Sequence, residues 1–586
     1  MLSSVDHYFT VASVSWLGWY MRRKLEAATK DVKKAQEETL MSRIKDNENT
    51  EYGKKYRFSE IKNRNDFVRL HPLTRYSHYE PYIERMMKGE KNVLTADQPI
   101  IFAVTSGTSG KSSIIPMLKK QQGAFFMQGI AILYDSMRRA FPGTGRLQKD
   151  LKFFYTPRFR TAECGIQIGP NSSSPANSKR ILNMYSTPKA GYDIMTEPEA
   201  LYVHLLFGLK DKNIGIIEAN FSSLVYSAFR TLDANWDNLV HDIEKGEVCP
   251  SLNIEENVRL ELNKQMKPDP KRAIELRKAR EDVGQVGIVK RMWPNINCLV
   301  AADSGTFELY GERLRELYFK EVPLYSPLYA ASEGLLGVNI WPEDRPSRYL
   351  LAPQSMVFEF IPIEHCEEEH PKTTFLEDVE VGRVYELVIT NASGLYRYRF
   401  GDVIKVVGFY NQCPVIEFQY RQGQFLNVRG EKTSENAFYQ ALCDALKKSG
   451  ARLVDYCCAE SLMVDAKTTS KDHTPGYHLI DLISGKDYTP GYHVFIELEK
   501  DQVNQQIHIP LDESLRTVSY VYSSFRRKGS ISPVRVYFVK SGTFQDLRAF
   551  LIENTTGSPN QFKVPRVLKR EDAVNFVMDR VVICQA

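Results

Sequence analysis

No Cys-x-x-Cys pair occurs in the 586 residues, and the nine cysteines (Cys164, Cys249, Cys298, Cys366, Cys413, Cys443, Cys457, Cys458, Cys584) are mostly isolated. That usage argues against a disulfide-stapled secreted scaffold and fits reduced thiols in a cytoplasmic protein. No basic stripe exists either. Lys and Arg total 77 against 72 Asp and Glu, the net charge is only +5, and the cations are dispersed, so a nucleic-acid groove has nothing to stand on. The apolar N-terminal run, residues 8–21, is too short for a hydrocarbon layer that needs about twenty residues. Its cations, Arg22, Arg23 and Lys24, follow the run, whereas a signal peptide carries them in front. An amphipathic or core-docking helix is expected there, with membrane contact at most peripheral. The segment His365-Cys-Glu-Glu-Glu-His370 matches no standard zinc spacing and reads as a solvated acidic loop.

What is present is the composition of an ordinary globular enzyme, 43% apolar and 25% charged, in a chain long enough for a large catalytic body plus a smaller unit. Residues 25–45 carry a helical pattern. A buried strand is expected over 99–104, and alternating strand-like runs over 356–363, 384–390 and 402–407. Residues 264–281 read as an exposed helix with a solvated charged face. Composition restarts after Arg421-Gln-Gly423, with a helix expected from about 434 to 448. We therefore divide the chain into 1–420 and 421–586, with 1–24 as a possible peripheral segment. The pentapeptide Thr-Pro-Gly-Tyr-His recurs at 474 and 489, which reads as two turns leading into strands.

Three short segments carry chemistry. Thr105-Ser-Gly-Thr-Ser-Gly-Lys-Ser-Ser113 packs two glycines, six hydroxyls and one lysine into nine residues behind an expected strand. Glycines let backbone N–H groups approach phosphate oxygens, hydroxyls add donors, and Lys111 adds charge. It is not a P-loop, because Thr105 stands where the first glycine belongs. It is not a nucleophile elbow, because Lys111 stands where that motif needs glycine. The bland alternative is a flexible surface loop. Tyr329-Ala-Ala-Ser-Glu333 groups an aromatic, a hydroxyl and a carboxylate that could stack a base, touch a phosphate and hold Mg²⁺, or merely cap a helix through Ser332. In Tyr396-Arg-Tyr-Arg-Phe-Gly-Asp402 the arginines could be paired sheet residues, and Asp402 either a turn residue or a carboxylate for a ribose diol.

These segments, in this order, resemble the adenylate-forming superfamily and, more closely, the plant-type acyl-acid-amido synthetases of the Gretchen Hagen family. The likeness extends to Tyr82-Ile-Glu-Arg85, Trp293-Pro-Asn295, Phe358-Glu-Phe-Ile-Pro362, Glu431-Lys-Thr-Ser-Glu435, Ser541-Gly-Thr-Phe544 and Asn560-Gln-Phe-Lys-Val-Pro-Arg566. The resemblance implies an α/β fold: a large N-terminal adenylation domain, a β-barrel plus helix-flanked β-sheets, with a smaller mobile C-terminal α/β domain. It implies ATP and Mg²⁺, and, as substrates, a small carboxylic acid and an amino acid. Ser106, Gly107, Thr108, Ser109 and Gly110, with Lys111, would wrap the phosphates. Tyr329 and Ser332 would line adenine and the α-phosphate, Glu333 would lie near the metal, and Asp402 would hold the ribose. Lys563 would be the mobile catalytic lysine, and Lys432 a contact near the nucleotide. The expected enzyme is a monomeric acid–amino-acid ligase.

The chain departs from the family pattern at Lys111, Ala331 and Phe400, where glycine, serine and valine are usual. None of these removes a charge that the chemistry needs. Two rivals remain at the level of sequence. One is an adenylate-former with another acceptor, such as coenzyme A. The other is a catalytically inactive binding or scaffold descendant, against which the joint presence of Glu333, Asp402 and Lys563 argues.

Overall fold

The computed structural model describes residues 2–105, 113–155, 159–171, 182–281, 284–422, 425–429, 431, 433–460, 489–499, 508–554 and 564–585. Contacts divide the described chain into two compact units, one of residues up to 105 together with 114–418, the other of residue 113 together with those from 419 onward.

The larger unit opens with two helices, α1 (Leu2–Lys30) and α2 (Val32–Asn47). The single helical pattern expected over 25–45 breaks at Asp31, whose carboxylate caps α2 by accepting from Lys34 N at 3.1 Å. The buried Gln36 fixes α2 to the sheet behind it. Its Nε2 donates to Pro353 O at 2.7 Å, and its Oε1 accepts from Phe358 N at 2.8 Å.

Three sheets follow. Ile101–Val104 (β1) pairs antiparallel with Ile114–Met117 (β2), Val104 opposite Ile114. Lys149–Lys152 (β3) belongs to the second sheet, and Arg160–Thr161 (β4) and Gln167–Gly169 (β5) complete the first in the order β2-β1-β5-β4. The second sheet is parallel. Ile214–Phe221 (β6), Cys298–Ala302 (β7) and Leu324–Tyr325 (β8) join β3 in the order β3-β6-β7-β8. Both of its faces are covered, as near-continuous apolar strands require. Leu151, Ile217 and Leu299 pack under helices Glu197–Lys210 and Ser222–Ala234. Ile216, Cys298 and Tyr325 pack under helix Ala131–Ala140.

The third sheet has eight strands: Leu328–Ala331 (β9), Gly334–Val338 (β10), Tyr349–Leu351 (β11), Val357–Pro362 (β12), Thr374–Phe375 (β13), Val384–Thr390 (β14), Tyr398–Tyr410 (β15) and Cys413–Arg421 (β16). Their order is β13-β12-β14-β15-β16-β11-β10-β9. The α/β class agrees with expectation, but the expected β-barrel is corrected to an open sheet. Among the described residues no ladder joins its edge strands β13 and β9. The sheet is nonetheless rolled. β9 and β15 stand four places apart in that order, roughly 19 Å in a flat sheet at about 4.8 Å per strand. Yet a side chain on β9 hydrogen-bonds one on β15 at 2.7 Å.

The arginines of the 396–402 segment are the paired sheet residues that their spacing allowed. Arg397 grips Glu359 through Nη2 at 2.8 Å and donates to His71 O at 2.8 Å and Val68 O at 3.1 Å. Arg399 reaches Glu386 Oε1 at 2.9 Å. Tyr396 is sealed in an aromatic nest with Tyr52, Phe58 and His71. The charged segment 264–281 forms helix Pro270–Glu281. Its expected solvated face is corrected in part: Arg272 is buried and donates to Leu209 O at 2.7 Å and Met292 O at 2.8 Å, which keeps its charge hydrogen-bonded.

The smaller unit carries a strand pair, Phe425–Leu426 (β17) with Thr433–Ser434 (β18). Its main sheet comprises Leu453–Glu460 (β19), Tyr492–Leu498 (β20), Arg535–Val539 (β21), Val567–Leu568 (β22) and Val581–Gln585 (β23), in the order β22-β19-β20-β21-β23. The helix expected over 434–448 is Glu435–Ser449, capped by Ser434.

Two stability predictions follow from the packing. Arg397→Met strands the buried Glu359 carboxylate, at an expected cost of about 3–5 kcal/mol in denaturant unfolding. Adding Glu359→Met should recover part of that loss; an unchanged midpoint in the single variant contradicts the pairing. Burial also holds the imidazole of His71 down at about 3. The unfolded chain protonates it near about 6.5, so the unfolded state binds more protons between those values. Stability should therefore fall as pH drops from about 6.5 toward 4. In His71→Gln the slope of the unfolding midpoint against pH should flatten, and an unaltered slope refutes the assignment.

Candidate functional site

Three of the sequence-derived site residues lie on one two-strand unit. β9 and β10 pair with Ala331 opposite Gly334, which makes Ser332–Glu333 a two-residue hairpin turn. This is a turn, not a helix cap. Gly334 has φ +134°, and a Cβ there would stand 3.1 Å from Gln121 Nε2, so the turn needs glycine for conformation and for room. The carbonyl of Glu333 is held by two amides: Gln121 Nε2 donates to it at 2.6 Å and Asn391 Nδ2 at 2.8 Å. Asn391 is fixed in turn, because its Oδ1 accepts from Ser393 N at 3.0 Å and Leu395 N at 3.1 Å. Glu333 is only 2% exposed, so its carboxylate sits where a cation would be strongly attracted.

Asp402 comes from β15 through a bulge. Between the pairs Val388–Arg399 and Glu386–Val403, β14 advances two residues and β15 four. Gly401, at φ +88°, absorbs part of the excess, and such a bulge re-aims the side chain beside it. Asp402 is therefore a bulge residue inside a strand rather than a turn residue. The Tyr329 hydroxyl donates to Asp402 Oδ2 at 2.7 Å, both side chains buried. The Tyr329 ring lies 5.8 Å from that of Tyr349 on β11 and 6.1 Å from that of Phe418 on β16. Tyr349 is itself pushed up to about 12 by burial, so it stays a neutral hydrogen-bonding group, with Ser326 Oγ 2.8 Å from its hydroxyl.

The structure thus brings Tyr329 and Asp402 together and places Ser332 and Glu333 on the hairpin that carries Tyr329. Ser106, Gly107, Thr108, Ser109, Gly110, Lys111, Lys432 and Lys563 lie outside the described residues, as do Gly423 and the first copy of the repeated pentapeptide. Their described neighbours are anchored. Glu431, beside Lys432, accepts from Val428 N and Arg429 N, each at 2.8 Å. Arg566, three residues after Lys563, is ion-paired with Asp455 and donates to Tyr456 O at 2.8 Å. Among the described residues no group of three or more His, Cys, Asp or Glu could by itself hold a metal. His365 pairs with Glu368 on an exposed turn.

Sequence reasoning missed the positioning amides Gln121 and Asn391, which no charge or motif marks. It also missed a half-buried polar group on the parallel sheet. Lys152 Nζ stands 3.2 Å from Glu218 Oε1 on neighbouring strands. Burial and the Glu218 charge push the nearby Tyr185 hydroxyl well above its usual range. Asp150 nearby is pushed far above the usual carboxylate range by burial and by the Glu218 charge. A carboxylate inside the apolar run Ile-Ile-Glu-Ala of β6 was the available signal.

Comparison with known proteins agrees with this architecture. The GH3 family N-terminal domain matches residues 21–324, the GH3 family central domain 349–421 and the GH3 family C-terminal domain 436–572. Jasmonoyl–L-amino acid synthetase JAR6 of Nicotiana attenuata is 30% identical over 93% of this chain and 92% of its own length. Indole-3-acetic acid-amido synthetase GH3.4 of Arabidopsis thaliana is 29% identical over 95% of this chain and 93% of its own length. A GH3 domain-containing protein of Mus musculus is 34% identical over 64% of this chain and 65% of its own. The solved structure of the GH3.15 acyl acid amido synthetase superposes with a TM-score of 0.83 over 96% of both chains at 24% identity, which shows a common fold. With three successive family domains matched in order across the chain, this protein belongs to the GH3 family.

Proposed function

We propose that the protein joins a small carboxylic acid to an amino acid at the expense of ATP, forming an amide and releasing AMP and pyrophosphate. The observation that carries this reading is the Tyr329–Asp402 hydrogen bond beside the buried Glu333 turn, in a chain whose plant relatives are named as amido synthetases.

Asp402, oriented by Tyr329, suits a ribose diol, because a carboxylate accepts from two adjacent hydroxyls. The rings of Tyr329 and Phe418 offer apolar surface to adenine. Glu333 fits a divalent cation by its burial and charge, and Mg²⁺ held there would offset phosphate charge. The loop 106–111 would supply N–H and hydroxyl donors to the phosphates, with Lys111 adding charge, and Lys432 would lie near the nucleotide. In the first half-reaction the acid's carboxylate oxygen attacks the α-phosphorus and pyrophosphate departs. Lys563 would stabilise the charge spreading over the phosphoryl oxygens, an interaction stronger in the transition state than before it. In the second half-reaction the unprotonated amine attacks the acyl carbonyl, AMP departs, and the nitrogen loses its proton.

We place the acid at the C-terminal edge of the parallel sheet, where α/β proteins take ligands. β3 and β6 bring Lys152 and Glu218 toward that edge, and β8 leads within two residues into β9. The segment 421–586 would act as a mobile domain that brings Lys563 to the phosphates and withdraws it for the amine, with Gly423 absorbing the dihedral change.

Mass spectrometry of reactions pairing a panel of carboxylic acids with the common amino acids should yield an ATP-dependent amide. Transfer to coenzyme A with no amide product would refute the amino-acid acceptor. Asp402→Ala should raise the apparent KM for ATP, since ribose contacts act alike in ground and transition states. Tyr329→Phe should do the same more weakly, by about two- to tenfold for one lost hydrogen bond. A KM unchanged in both variants removes this pair from nucleotide binding. Lys563→Ala should slow adenylation by about a hundredfold or more while ATP still binds. Near-normal rates in that variant would take Lys563 out of the mechanism.

A further inference from the structure

The inner face of α1 is fully employed. Met21, Leu25 and Ala28 are buried, and at Gly18 the helix approaches its neighbour so closely that a Cβ would stand 2.5 Å from Ala131 O. An ordinary docked helix turns charged residues outward. Here residues 8, 9, 12, 13, 16, 19 and 20 face outward, and none is charged. Five are large aromatics: Tyr8 at 58% exposed, Phe9 at 62%, Trp16 at 64%, Trp19 at 41% and Tyr20 at 38%. At about 1.5 Å per residue the stripe runs roughly 18 Å along the helix.

The same face then turns cationic. Arg23 and Lys24 are exposed, the Arg23 guanidinium lies 4.3 Å from the Trp19 ring centre, and the Lys24 ammonium lies 5.0 Å from that of Tyr20. Trp16 and Tyr20 stack at 5.7 Å with their planes 2° apart. The match to the family's N-terminal domain begins at residue 21, just after the stripe.

We propose that this face docks peripherally on a bilayer surface rich in anionic phospholipid. Trp and Tyr combine an apolar ring with a polar tip and concentrate at the headgroup level, where the tip finds water or phosphate. The adjacent cations complement anionic headgroups. Self-association or a protein partner fits less well, because a dry interface would have to find acceptors for two indole N–H groups and two phenol hydroxyls. The attachment is peripheral, since among the described residues no helix is long and apolar enough to cross a membrane. This surface is independent of the catalytic reading and would place the enzyme where acids dissolved in lipid are concentrated.

The test is co-sedimentation of the full-length protein with phosphatidylcholine vesicles, with and without phosphatidylserine. Binding should require phosphatidylserine, weaken as salt rises, and shift tryptophan emission to the blue. Trp16→Ser with Trp19→Ser should weaken binding tenfold or more while circular dichroism stays unchanged, because both side chains face outward. Arg23→Glu with Lys24→Glu should abolish the preference for anionic vesicles. The proposal is overturned if wild-type protein stays in the supernatant with every vesicle. Equal pelleting by the tryptophan variant also overturns it, as does a wild-type dimer that the tryptophan variant abolishes.

Discussion

The roll of the eight-stranded sheet is the constraint on which the site depends. A tyrosine on edge strand β9 and an aspartate on central strand β15 are neighbours only because the sheet folds back on itself by four places. Two local devices make the meeting possible. The bulge at Gly401 turns Asp402 toward the inside of the roll, and the Gly334 turn lets β9 and β10 reverse tightly against helix Lys119–Ala124. The rings of Tyr349 and Phe418 lie against that of Tyr329, and both partners of the hydrogen bond are buried. In such surroundings its direction is well defined, because a misaligned buried hydroxyl would lose its partner at a cost of about 1–3 kcal/mol.

Around this roll the motif residues divide by task. Arg397 and Arg399 are consumed in ion pairs with Glu359 and Glu386, and Tyr396 in an aromatic nest. Their work is to hold β15 against β12 and β14, and through it to fix Asp402. In the smaller unit Glu431 serves two backbone N–H groups and Arg566 is tied to Asp455 and Tyr456. A motif recognised as a string of residues is thus a mixture of groups that can meet a ligand and groups that hold those in place.

The sequence made the strands of the large unit legible where period and burial agreed, as in β12, β14 and β15. Tyr329, Ser332, Glu333 and Asp402 were legible because aromatic, hydroxyl and carboxylate side chains clustered beside glycines. The open edge of the sheet was not, because closure depends on which distant strands pair. Gln121 and Asn391 were invisible for a different reason. Each acts through one amide on the carbonyl of a residue far away in sequence, and nothing local distinguishes such an amide from a surface one. The Lys152–Glu218 pair showed only as an anomaly, a charge in an apolar strand, whose partner came from a neighbouring strand.

The central claim is that the rolled sheet presents a nucleotide site at which a carboxylic acid is activated. Exchange of labelled pyrophosphate into ATP isolates that step, because it requires reversible attack of the acid on the α-phosphorus and no amine. The account predicts exchange that depends on an added carboxylic acid. Exchange absent with every acid of a broad panel, in protein that also fails to bind ATP, would contradict it.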